Sequence, residues 1–414
     1  MRLRWLLLLG VLLAGLTGAG LAAETPGTGP WDLKTLRKAP AHEEIRTRQE
    51  TVKNGDGTET LLSISEVYYA GEPWRGRPTR VFAYYARPAE PEEKKLPAMV
   101  LVHGGGGTAF AEWARLWAAR GYAALAMDLA GKGPDGKPLP DGGPDQTDEW
   151  KFQRLKDGVQ NAWPYQAVAA VIRGVSLLRA RPEVDRSRIG ITGISWGGYL
   201  TSIVMSLDDR LKAAVPVYGC GYLHENSVWV PILNALPEDE RRTWIANFDP
   251  GSYLPRCKTP VLWMNGTNDF AYPLDSYQKS YRAVRGPRWL CVTVKMPHSH
   301  PDGWARPEIG MFADMHLRPK TLPFTVSPAS PPVIRGEKVY TELVGGATIR
   351  DGQIHWTTDL DKPWQQRDWK SARARTLGLD GVEAELPKER PCVYFLTLRD
   401  LHGAVTSTEH AILE

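Results

Sequence analysis

The chain has 414 residues, 51 Lys and Arg against 47 Asp and Glu, and a net charge of +4. Apolar residues make up 42 % and charged residues 24 %, the balance of a soluble protein too long for one ordinary core. The charge is too even for a polyanion-binding surface, which argues against nucleic acid as a partner.

The first segment, "MRLRWLLLLGVLLAGLTGAGLAA", sets Arg2 and Arg4 ahead of an apolar run and closes on small residues. That is the layout of a signal peptide over residues 1–23, cleaved near Ala22 or Ala23, and predicts a secreted or periplasmic protein. No later segment is apolar for long enough to span a bilayer. Residues 24–60 are polar, with a short helix expected around Trp31–Arg37. "LLSISEVYYA" and "RVFAYYARP" then read as an antiparallel pair of strands.

From "PAMVLVHGG" onward the pattern changes. The apolar runs "YAALAMDLAG", "SRIGITGIS", "LKAAVPVYG", "PVLWMNG" and "WLCVTVKM" alternate with helical segments such as "WPYQAVAAVIRGVSLLRAR". Such alternation predicts an α/β fold, a mostly parallel sheet with helices on both faces. Residues 131–162 and 219–255 are long insertions after strands, placed as lids would be. "LPFTVSPASPP" reads as a linker, 321–332. Beyond it, short strands with turns predict a small all-β sandwich over 333–414, of the immunoglobulin or fibronectin kind. Cys220, Cys257, Cys291 and Cys392 show no CxxC spacing, so no metal site or redox pair is expected.

The chemistry centres on "ITGISWGGYL". Ser195 sits where a strand ends and a helix begins, and Gly193 and Gly197 remove side chains that a sharp turn could not hold. This G-x-S-x-G pattern presents a nucleophilic serine at a helix amino end. Its oxyanion would be held by the N–H of Trp196 and by the glycines of "VLVHGGGG", with Gly105 preferred and Gly106 next. His103, leading into that loop, is expected to hold it in place. The chain order Ser, Asp, His puts the acid at Asp269, after "PVLWMNG", with Asp275 the weaker alternative. The base falls in "PHSHPDGW". Both His298 and His300 fit, and His300 is preferred because it leaves more chain to turn back over Ser195. Trp163, Trp229 and Trp244, with Trp196, are candidates to wall a substrate pocket. Trp356 and Trp364 are candidates for carbohydrate binding by the sandwich. Acyl transfer through Ser195 needs no metal and no cofactor.

"VLVHGGGG", "GISWGGY", "NGTNDFAYP" and "MPHSHPDGW", in that order, resemble the α/β-hydrolase superfamily. More narrowly they resemble its secreted acetyl xylan esterase, dienelactone hydrolase and prolyl-oligopeptidase-like members, over roughly residues 60–320. The resemblance implies the α/β-hydrolase fold and a catalytic domain of 24–320 that includes the N-terminal strands. It implies a nucleophile at Ser195, an acid at Asp269 and a histidine at 298 or 300. Dienelactone hydrolases carry cysteine where this chain has Ser195. Prolyl oligopeptidases carry a propeller for which this chain has too few residues. The expected activity is therefore serine ester hydrolysis with an ester substrate, acetylated polysaccharide being the favoured one. A serine peptidase and a non-catalytic carbohydrate-binding protein are the alternatives.

Overall fold

The computed structural model describes residues 27–53, 57–318, 331–342, 348–377 and 381–414. The expected signal peptide and nearly all of the expected linker lie outside them.

A nine-stranded sheet forms the larger unit. Its strands are β1 (His42–Lys53), β2 (Glu59–Ala70), β3 (Arg80–Pro88), β4 (Leu96–Val102), β5 (Ala123–Met127), β6 (Val184–Ile194), β7 (Ala213–Val217), β8 (Val261–Gly266) and β9 (Arg288–Thr293). They lie in the order β1-β2-β3-β5-β4-β6-β7-β8-β9. β1, β2 and β3 pair antiparallel, and β3 meets β5 antiparallel. From β5 to β9 every pairing is parallel. The sequence explains the division. β4, β5 and β7 are apolar throughout, β8 is apolar up to Asn265, and all four are buried throughout, as strands covered by helices on both faces must be. β1 was not anticipated. It is polar and almost wholly exposed, so it lacks the alternation that marks a half-buried strand.

The direction of strand succession reverses between β4 and β6. The chain leaves β4 toward β5 on one side and later continues from β6 toward β9 on the other. Parallel strands end at the same edge, so the loops after β4, β6, β8 and β9 gather there. A crevice at such a reversal is where open α/β sheets bind ligands.

The second unit is antiparallel. It comprises β10 (Val333–Arg335), β11 (Lys338–Glu342), β12 (Ile349–Thr357), β13 (Lys370–Thr376), β14 (Gly381–Glu385), β15 (Cys392–Asp400), β16 (Val405–Ser407) and β17 (Ala411–Leu413). β13 joins its halves, pairing with β12 through Lys370–Ala374 and with β14 through Arg375 and Thr376. Val339, Val382 and Ala384 from one half pack with Ile354, Leu396 and Leu398 from the other.

The two units share an apolar cluster. Leu274 and Val292 of the first pack with Trp364, Val393 and Phe395 of the second. Arg282 pairs with the buried carboxylate of Glu409 at 2.6 Å, and Val292 N–H, on edge strand β9, donates to Ser407 Oγ at 3.0 Å. Trp364 is buried under the guanidinium of Arg367, 3.8 Å from the ring centroid, with His410 at its side. Trp356 packs half-buried against the sheet's own core. Of the two indoles considered for sugar binding, Trp364 is thus enclosed by packing, while Trp356 keeps part of its surface open. All four cysteines are buried free thiols. No helix among the described residues is long and apolar enough to cross a membrane.

Candidate active site

Ser195 joins β6 to the helix Trp196–Leu207 with φ 58° and ψ −119°, left-handed backbone that a residue with a Cβ adopts at a cost. The surroundings hold it there. Ser195 N–H donates to Val217 O, and Ser195 O accepts from Tyr199 N–H, both at 2.9 Å. A Cβ on Gly197 would run into the carbonyl oxygen of Val102, and one on Gly193 into that of Gly197. The glycines are there because β4, β6 and the helix approach backbone to backbone.

The loop after β4 is fixed around Gly104. His103, wholly buried, places Nδ1 2.8 Å from Gly104 O, while its Nε2 accepts from Leu129 N–H at 2.8 Å. The ring is thus neutral with its proton on Nδ1, and burial lowers its pKa to about 4. On the other side, Gly104 N–H donates to His300 Nε2 at 2.9 Å. Burial lowers the His300 pKa to about 4 as well, and the nearby imidazoles of His103 and His298 further disfavour a proton on this ring. Two neutral imidazoles therefore grip one glycine residue, one by its oxygen and one by its nitrogen. Gly106 N–H donates to Gln146 Oε1 at 3.1 Å, from the first insertion. Gly106, expected as an alternative oxyanion donor, is thereby occupied. Gly105 N–H and Trp196 N–H meet no acceptor among the described residues.

Asp269 follows β8 and is buried. Its Oδ1 accepts from the N–H groups of Ala271 and Tyr272 at 2.9 and 2.8 Å. Its Oδ2 lies 2.6 Å from His298 Nδ1. A carboxylate has no proton to give, so Nδ1–H is the donor and Nε2 is left as a base. Tyr218 stacks on the His298 ring at 4.3 Å, and its hydroxyl donates to Pro297 O at 2.6 Å. Asp275 instead accepts from Asn226 Nδ2 and Ser276 N–H. The preference for His300 over His298 is reversed by this geometry. His298 meets the carboxylate, whereas the Nε2 lone pair of His300 is spent on Gly104.

One cavity of about 320 Å³ gathers these groups, with Gly105, Ser195, Trp196, Trp229, Phe270 and His298 in its lining, and Ser299 and His300 beside them. Of the three further tryptophans expected around a pocket, Trp229 lines it and packs on Trp196 at 4.5 Å. Trp163 and Trp244 do not. Both are fully buried, their indole N–H groups donating to Leu129 O and Lys151 O at 2.6 and 2.8 Å. Two residues were missed. Phe270, 56 % exposed, leans on the His298 ring at 4.7 Å; a bare aromatic directly after Asp269 is the sequence signal for it. Lys151, buried, holds its ammonium 4.7 Å from the Trp196 ring, and burial lowers its pKa. Nothing in its local sequence marks it. Among the described residues no three His, Cys, Asp or Glu side chains converge to hold a metal.

The acetyl xylan esterase (AXE1) family model matches residues 33–250. That span includes Gly105, Ser195 and Trp229 and stops short of Asp269 and His298. Among solved structures the chain is similar to an acetyl xylan esterase from Paenibacillus sp. R4, with a TM-score of 0.54 and 24 % identity, over 69 % of this chain and 92 % of that one. At that identity the likeness is one of fold. Two curated relatives are the uncharacterized peptidase YuxL of Bacillus subtilis, 27 % identical over 58 % of this chain and 36 % of its own, and the acetyl esterase Axe7A of Xylanibacter ruminicola, 22 % identical over 53 % and 52 %. The chain thus spans about a third of the first and half of the second.

Proposed function

The chain belongs to the acetyl xylan esterase family, and from that premise we propose that it is an exported serine ester hydrolase that removes acyl groups, acetyl above all, from polysaccharide. The observation that carries this reading is the shared cavity. A strained serine, a histidine paired with a buried carboxylate and two unpartnered N–H groups face the same small space. In the proposed reaction His298 Nε2 takes the Ser195 proton as Oγ attacks the acyl carbon. The resulting oxyanion accepts hydrogen bonds from Trp196 and Gly105 N–H. Asp269 holds the His298 tautomer and stabilises the imidazolium, which then returns the proton to the leaving alcohol. Water, activated by the same imidazole, releases the acid and frees Ser195. Trp229 and Phe270 would flank the acyl or sugar portion. In this reading residues 24–320 form the catalytic domain and 333–414 a second domain.

The test is hydrolysis of p-nitrophenyl acetate and of acetylated xylan by the mature protein, beside Ser195→Ala. Release of acetate by the first and a loss of at least about a thousandfold in the second is the expected result. Undiminished turnover in Ser195→Ala would overturn the mechanism. Because one relative is named a peptidase, peptide p-nitroanilides belong in the same assay. Faster amide than ester cleavage would replace the esterase reading.

A further inference from the structure

The acid and base stand on two separate loops, after β8 and after β9, and neither loop is held by the large sheet alone. Thr267, fully buried, accepts from Lys295 N–H at 3.0 Å and donates to Asn268 Oδ1 at 2.7 Å. Lys295 needs that support, since it turns the chain after β9 with φ 52°. The other end of the Asn268 amide crosses into the antiparallel unit. Nδ2 donates to Arg367 O at 2.7 Å and reaches Gln365 O and Trp364 O at 3.2 and 3.3 Å. Those carbonyls belong to the loop between β12 and β13, which Trp364 and Leu360 anchor in the shared apolar cluster. Lys295 Nζ pairs with Asp368 at 3.0 Å on the exposed side.

A chain of hydrogen bonds therefore runs from the His298 loop through Thr267 to Asn268, the residue before Asp269, and on to residues 364–367 of the antiparallel unit. We infer that Asn268 is a positioning residue, keying both the acid loop and the base loop to the second unit, so that the antiparallel sheet is a working part of the catalytic site. The inference rests on reading Asp269 and His298 as acid and base. It gives the second unit a role that does not require it to bind carbohydrate.

The experiment compares Asn268→Ala with Arg282→Ala in the full mature chain. Arg282 meets Glu409 elsewhere on the same interface and touches no group of the site, so it reports loss of docking strength alone. Asn268→Ala is expected to lower kcat for p-nitrophenyl acetate by about tenfold to a hundredfold, with KM within about threefold, since a small displacement of the base costs turnover more than binding. Arg282→Ala is expected to lower Tm and leave kcat within about twofold. A readout independent of activity is the strongly deshielded proton of the short His298–Asp269 hydrogen bond in the proton NMR spectrum. It should be present in the parent and in Arg282→Ala, and weakened or lost in Asn268→Ala. An Asn268→Ala protein that keeps kcat and that proton would overturn the inference, as would an equal loss of kcat in Arg282→Ala. If the parent itself turns over no ester, the functional reading fails, and the NMR comparison still decides this inference.

Discussion

The two sides of the cavity are held in different ways. The glycine loop after β4 is fixed from within its own unit, by His103, His300 and Gln146. The loops carrying Asp269 and His298 are fixed partly from outside, through Asn268 and the loop between β12 and β13. The proposed oxyanion side needs a rigid backbone, and its glycine loop is held by side chains of its own unit. The proposed acid–base side needs two side chains from separate loops to meet, and in our inference the second unit helps to settle where.

Three changes probe that contrast, two in activity, the larger first, and one in stability. Asp269→Asn keeps the shape of the acid–base side but turns an amide toward His298, favouring the wrong tautomer. It is expected to cut kcat by about a thousandfold to ten-thousandfold, measured on p-nitrophenyl acetate, and a loss under tenfold would mean that another group orients the base. On the opposite side, His300→Leu keeps apolar packing against Phe110 and Trp304 but removes the acceptor for Gly104 N–H. It is expected to lower kcat by about tenfold to a hundredfold. His300→Gln, whose amide oxygen can accept that bond, should recover most of it. Equal activity in the two variants would show that the grip on Gly104 is dispensable. The last effect is graded, is read in stability and touches both units. His103, His300, His316, His355 and His410 all have their pKa lowered to about 4 by burial. The unfolded chain binds those protons near pH 6.5 and the folded chain does not. Stability is therefore complete above pH 6.5 and falls as the pH drops from about 6.5 to about 4. Chemical unfolding at pH 7, 6 and 5 should show a falling midpoint, and a flat profile would contradict the burial of these rings.

The same contrast governs what the sequence discloses. The elbow at Ser195 and the loop at Gly105 are legible because steric need writes glycine into adjacent positions. The parallel strands are legible because burial on both faces leaves continuous apolar runs. The position of Asp269, on the loop after β8, could be read from strand order. His298 could not be separated from His300, because the difference is which ring meets Asp269 and which meets Gly104. That depends on groups 29 and 196 positions away. The tie from Asn268 to Arg367 spans 99 residues and uses backbone carbonyls, so no residue type at the far end could announce it. β1 escaped notice for a related reason. Its pairing with β2 is made by the main chain, while its side chains face water.

The nine-stranded sheet has two rims where backbone groups could recruit a strand from another molecule. At β1 the rim carries Glu43, Glu44, Arg46, Arg48 and Glu50, a mixture of charges that discourages stacking. At β9 the second unit lies alongside, and Val292 offers its N–H to the hydroxyl of Ser407. A hydroxyl ends a ladder that a carbonyl would extend. The carboxy-terminal sheet thus also covers the β9 margin, the rim of the large sheet where an incoming strand would otherwise find backbone groups to pair with.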